Sequence, residues 1–173
     1  MMVEVDVVVR LADRASAPDL VAVHRAAAHT GFAHIFPPEA EPPTYEEDLA
    51  RWEYWLGPDW EQGRRAYVAI ACRRVVGVVL AGPDPEEPAL GHLARLYVEP
   101  AHWGHGLGTQ LYNAAMGDLA DRGFRDATLW VLEGNTRARR WYERLGWAPT
   151  GKRKTTYAPA GIEDLQYRVA LPR

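Results

Sequence analysis

A single cysteine, Cys72, stands among 173 residues. That excludes an intrachain disulfide framework and a zinc site built on several thiolates. Basic residues are not in excess: 20 Lys plus Arg face 23 Asp plus Glu, a formal charge of −3. The footprint of a nucleic-acid binder or of a polybasic membrane binder is therefore missing. No apolar run nears the ~20 residues of a membrane helix. The first residues, Met1-Met2-Val3-Glu4-Val5-Asp6, are acidic where a signal peptide is basic, so a cytoplasmic protein is expected. Internal repeats, low-complexity tracts and linkers are absent too, and a single domain over 1–173 is the expectation.

What is present suits a globular chain: 47% hydrophobic and 25% charged residues, with seven Trp and eight Tyr. A chain of this size can bury a real core without covalent staples. Val3 to Leu11 reads as a strand. Ser16 and Pro18 open a helix over Ala17 to His29, which Gly31 ends. Pro37, Pro38, Pro42 and Pro43 keep the next stretch irregular. Thr44-x-x-Glu47 is a capping box, and Tyr45, Leu49, Trp52 and Leu56 then form one helical stripe. Ala66 to Cys72 and Val75 to Ala81 read as a hairpin turning at Arg73-Arg74, with Cys72 assigned to the core. A strand from Leu93 to Glu99 stops at Pro100. A helix carrying Leu107, Leu111, Ala115, Met116 and Leu119 follows and ends at Gly123. Ala127 to Leu132 is a strand, Ala138, Trp141, Tyr142 and Leu145 mark a short helix closed by Gly146, and Leu165 to Leu171 alternates as a last strand. The order β-α-α-β-β-β-α-β-α-β-β predicts an α/β (α+β) fold: a mixed, mostly antiparallel sheet with helices on both faces.

The segment Leu96-Tyr97-Val98-Glu99-Pro100-Ala101-His102-Trp103-Gly104-His105-Gly106-Leu107-Gly108 runs from strand through a glycine loop into a helix. Alternating glycines allow positive φ and a close approach of backbone to ligand. The helix start adds unpaired N–H groups and a positive dipole end, which together make an anion site. A Rossmann fingerprint fits poorly, because Thr109 stands where its last glycine or alanine belongs. A triphosphatase phosphate loop fails for want of Gly-Lys-Ser/Thr.

The second informative stretch is Leu129-Trp130-Val131-Leu132-Glu133-Gly134-Asn135-Thr136-Arg137-Ala138-Arg139-Arg140-Trp141-Tyr142-Glu143-Arg144-Leu145-Gly146-Trp147. With the glycine loop before it, this resembles the GNAT family of acetyl-CoA-dependent N-acetyltransferases over residues 91–147. That family's loop reads Gln/Arg-x-x-Gly-x-Gly/Ala, and its Gln/Arg position falls on Trp103 here.

The resemblance implies a sheet splayed between its fourth and fifth strands, with the pantetheine arm of acetyl-CoA lying in the gap like a missing strand. It implies cofactor contacts along Leu96, Tyr97 and Val98, along the loop residues Trp103, Gly104, His105, Gly106, Leu107, Gly108 and Thr109, and at Asn135, Arg139 and Tyr142. The N–H of Val98 becomes the oxyanion donor and Tyr142 the acid for the leaving thiolate; either Glu99 or Glu133, near the ends of the two splayed strands, can be the base, with Glu133 preferred. No metal and no acyl-enzyme enter. The expected acceptor is a primary amine of a small molecule or peptide, with no nucleic-acid or membrane partner. The C-terminal strands leave a homodimer open.

Between the first two helices lie His29, Phe32, His34, Phe36, Tyr45, Trp52 and Trp55, with Glu39, Glu41, Glu46, Glu47, Asp48, Glu53, Asp59 and Glu61. An acidic, aromatic mouth would suit a cationic amine. Two alternatives stay open at this point: a catalytically weak acyl-CoA-binding module on the same fold, favoured by Trp103, and a domain that uses the glycine loop for another phosphate ligand.

Overall fold

The computed structural model describes residues 7–58 and 63–172. The chain runs β1 (Val7–Leu11), α1 (Ala17–Phe32), α2 (Tyr45–Leu56), β2 (Arg65–Ala71), β3 (Arg74–Pro83), β4 (Gly91–Val98), α3 (Leu107–Asp121), β5 (Asp126–Leu132), α4 (Thr136–Arg144), β6 (Ala148–Tyr157) and β7 (Ile162–Ala170). The expected order is the observed one. Val3 to Asp6 of the first expected strand, and Asp59 and Glu61, lie outside the described residues.

Seven strands form one sheet in the order β1-β2-β3-β4-β5-β7-β6. Every pairing is antiparallel except β4 with β5. That pair is parallel and brief: Gly91, His92 and Leu93 oppose Ala127, Thr128 and Leu129. Beyond those residues the two strands part, as the resemblance implies.

Alternation along the strands sends side chains to two cores. On one face Leu93, Val98, Leu129 and Tyr167 pack with Leu107, Leu111, Leu119 and Tyr142 of α3 and α4. On the other, Val68, Val78 and Leu80 pack with Leu20, Val21 and Val23 of α1 and with Trp52 of α2. Each of these buried aliphatic side chains contributes about 1.5–3 kcal/mol by leaving water.

Three local expectations are corrected. Ser16 makes no side-chain bond to α1; it closes the turn Arg14–Ser16 in a reciprocal box with Asp13. Gly31 does not end α1, which continues to Phe32; the Trp103 ring lies 4.0 Å from where a Cβ would sit, an ordinary contact distance. Cys72 is exposed rather than buried. The β2–β3 hairpin turns on Cys72 (φ 49°) and Arg73 (φ 64°), and two consecutive positive φ values match the twist of the flanking strands. The expected box on α2 holds: Glu47 N donates to Thr44 Oγ1 at 3.2 Å and Thr44 N to Glu47 Oε2 at 2.8 Å.

Candidate active-site cleft

The parting of β4 and β5 leaves strand edge unpaired. Glu99 N donates to Val76 O at 2.8 Å, so the polar groups of residue 99, and by alternation of Tyr97, face β3. Those of Leu96 and Val98 then face the gap. The gap opens into a cleft of about 580 Å³ lined by Leu96, Tyr97 and Val98, the glycine loop, the end of α1 and the start of α4.

The loop is built by its glycines. Gly104 (φ 82°) and Gly106 (φ 79°) take the left-handed conformation, and Gly106 caps α3 without a side chain. The first bond of that helix runs from Gln110 N to Gly106 O at 3.1 Å. The N–H groups of Leu107, Gly108 and Thr109 are left at the positive end of a 15-residue helix, free of intrahelical partners. Gly108 needs no special φ, and a Cβ built there meets nothing within 4 Å. Neither backbone nor packing demands glycine at that position.

Trp103, at the loop's start, is pinned. Its Nε1 donates to Val98 O at 2.7 Å, and the Arg137 guanidinium lies 4.3 Å from its ring centroid. On α4, the Asn135 side chain caps the helix by accepting from Ala138 N at 3.2 Å, while the residue also lines the cleft. Tyr142 lies on the buried stripe of α4, between Trp141 (5.0 Å between centroids) and Trp147 (5.9 Å). Burial holds its phenol far above the usual range, with nearby Tyr97 and Tyr112 adding to the rise, so it carries its proton at any working pH.

Of the residues singled out from sequence, Leu96, Tyr97 and Val98, then Trp103, Gly104 and Gly106, then Leu107, Gly108 and Thr109, and finally Asn135 and Tyr142 all line this one cleft. His105, Glu133 and Arg139 are not in its lining. His105 is exposed. Glu133 is half-exposed beyond β5, and its carboxylate is held by Arg153 Nη2 at 2.7 Å. Arg139 is spent on the fold: its Nε donates to Tyr167 Oη at 3.1 Å and its Nη1 to Glu133 O at 2.9 Å.

The expected acidic, aromatic mouth largely dissolves. Trp52 is fully buried in the core, Asp48 is buried and paired with Arg25 at 2.8 Å, and Glu47 caps α2. Among the described aromatic, histidine and acidic residues of that mouth, only Phe32 and His34 line the cleft. His34 Nε2 lies 3.3 Å from Gly134 O, a carbonyl acceptor, so Nε2 carries the hydrogen. Thr30, Thr136, Arg137, Trp141 and Arg144 complete the walls and were not anticipated. Thr136 and Arg137 directly follow Asn135 and could have been taken with it. The α1 wall meets partners some 70 to 100 residues away, which no local pattern encodes.

A phosphate-bearing thioester fits this arrangement: backbone donors at a helix start, a strand edge beside them, and a protonated phenol at the junction. Comparison with known proteins agrees. The sequence profile of the acetyltransferase (GNAT) family matches residues 23–147. Mycothiol acetyltransferase of Rhodococcus erythropolis is 42% identical over 64 residues, covering 37% of this chain and 21% of that protein. The chain thus spans about a fifth of that relative's length. Among solved structures, a GNAT-family protein from Desulfovibrio desulfuricans superposes with a TM-score of 0.77 at 21% identity, covering 96% of this chain and 100% of that one. The PaiA N-acetyltransferase of Thermoplasma acidophilum, solved in complex with coenzyme A, gives 0.72 at 15% identity, covering 93% and 98%. At these identities the two structures share the fold.

Proposed function

Because the chain belongs to the acetyltransferase (GNAT) family, we propose that it moves an acetyl group from acetyl-CoA to a primary amine of a small molecule or peptide, by direct attack in a ternary complex. The observation that carries this reading is the convergence in one cleft of an anion-binding helix start, the gap-facing edge of β4 and the buried phenol of Tyr142.

Acetyl-CoA supplies the activated acyl group. The chain's own groups divide the rest of the work. The N–H groups of Leu107, Gly108 and Thr109 hold phosphate, and the edge at Leu96 pairs with an extended amide chain. The Val98 N–H donates to an oxygen that gains charge in the gap. Asn135 fixes the start of α4 and so the placement of Tyr142, which gives its proton to a departing thiolate.

The amine must lose a proton. Glu133 was expected to take it, but its carboxylate is tied to Arg153 outside the cleft. His34, which lines the cleft with its Nε2 on Gly134 O, is better placed, and we assign the base role to it. The test is a thiol-release assay with acetyl-CoA and a panel of amines. Amine-dependent release supports the reading, and release with no amine above the rate of hydrolysis overturns it.

A further inference from the structure

The glycine loop offers backbone donors but no guanidinium. His102 lines the cleft as an imidazole turned toward Glu99, with Nδ1 3.5 Å from Oε2 and no hydrogen bond made, and His105 stands outside the cleft. Trp103 contributes an apolar ring. That ring is a fixed platform: its Nε1 is bonded to Val98 O at 2.7 Å and its far edge packs over Gly31. Arg137, in the first turn of α4, lies on the platform with Cζ 4.3 Å from the ring centroid, and both residues line the cleft. Among the described residues no carboxylate pairs with Arg137, whereas its neighbour Arg139 is spent on Tyr167 and the Glu133 carbonyl. An aromatic face holds a guanidinium in place without consuming its five N–H donors. Arg137 is therefore a positioned guanidinium in the same cleft as an anion-binding helix start.

We infer that Arg137 binds the pyrophosphate of the acyl donor, carried onto the loop from α4 by Trp103, and that Trp103 acts as its positioning residue. The inference rests on the acetyl-CoA reading above and deepens it. The planar fork suits a diphosphate, which takes two parallel charge-assisted bonds.

The experiment compares Arg137→Gln with wild type using acetyl-CoA, acetyl-3′-dephospho-CoA and S-acetyl-pantetheine, and follows Tm alongside. The substitution is expected to raise KM about ten- to a hundredfold for both nucleotide donors while kcat holds. KM for S-acetyl-pantetheine, which has no diphosphate, stays at the wild-type value. Trp103→Ala should raise the same two KM values, and the double variant should be no worse than Arg137→Gln alone. An equal rise with S-acetyl-pantetheine would make Arg137 merely structural and overturn the inference. An effect confined to acetyl-CoA would move the contact to the 3′-phosphate and overturn the pyrophosphate assignment. Wild-type turnover with acetyl-CoA and an unchanged Arg137→Gln would remove this inference and leave the reading standing. A wild type that uses none of the three donors would remove both.

Discussion

The Trp103 indole Nε1 donates to the carbonyl of Val98 at 2.7 Å, tying the glycine loop to the last residue of β4. The bond occupies the gap-facing carbonyl of Val98 and leaves that residue's N–H as the gap-facing donor. Trp103→Phe keeps the ring but leaves the carbonyl without this donor. It should cost about 0.5–1.5 kcal/mol of stability, the net worth of one hydrogen bond whose acceptor water in the cleft can reach. Denaturant unfolding checks this, with KM for acetyl-CoA rising as the loop loosens.

Tyr142→Phe removes a hydroxyl from a buried ring packed at steep angles against Trp141 and Trp147, and little else. The expected result is a fall in kcat of about a hundredfold, within the range for general acid catalysis, with the Kd for acetyl-CoA unchanged. Steady-state kinetics with direct titration of the donor separates the two. An unchanged kcat would remove Tyr142 as the acid.

The proton acceptor is tested by a pair of variants. His34→Gln should lower kcat/KM about a hundredfold. Glu133→Gln should leave kcat/KM within about twofold, because an exposed ion pair such as Glu133–Arg153 is worth little.

Acid should destabilise the fold through two imidazoles. Burial pulls His24 down from 6.5 to about 4, against the opposing pull of Asp48 and with Arg95, Arg51 and Arg25 adding to the fall. Burial also lowers His92, which bonds Thr128 Oγ1 at 2.8 Å, although Asp84 opposes the shift. Both are neutral in the folded chain below the pH at which they protonate when unfolded. Between pH 6.5 and about 4 the unfolded chain therefore binds more protons, and stability falls as pH falls. The denaturant midpoint should drop from pH 7 to pH 5, with a shallower drop in His92→Gln.

Much of this was legible along the chain. Leucines at helical spacing marked α3, Thr44 and Glu47 marked the start of α2, and the glycine loop announced an anion site. The less legible features depend on contacts between distant residues. Cys72 sits at the end of an apolar run, and only the strand register shows that it belongs to the turn. Gly31 reads as a helix end until Trp103, 72 positions later, lies against it. Glu133 stands at the end of the right strand, but Arg153 of β6 draws its carboxylate outward. Arg137 reads as one more surface cation of a basic helix until the Trp103 ring is seen beneath it.

The most direct test of the account is calorimetric titration of acetyl-CoA into the wild-type chain and into Gly108→Val, with Tm measured for both. A side chain at Gly108 meets no protein atom near its Cβ, so the fold should tolerate it. The account predicts binding by the wild type, at least tenfold weaker binding by the variant, and a Tm within about 2 °C of wild type. Equal binding by both chains, or none by the wild type, would contradict the placement of the acyl donor at the start of α3.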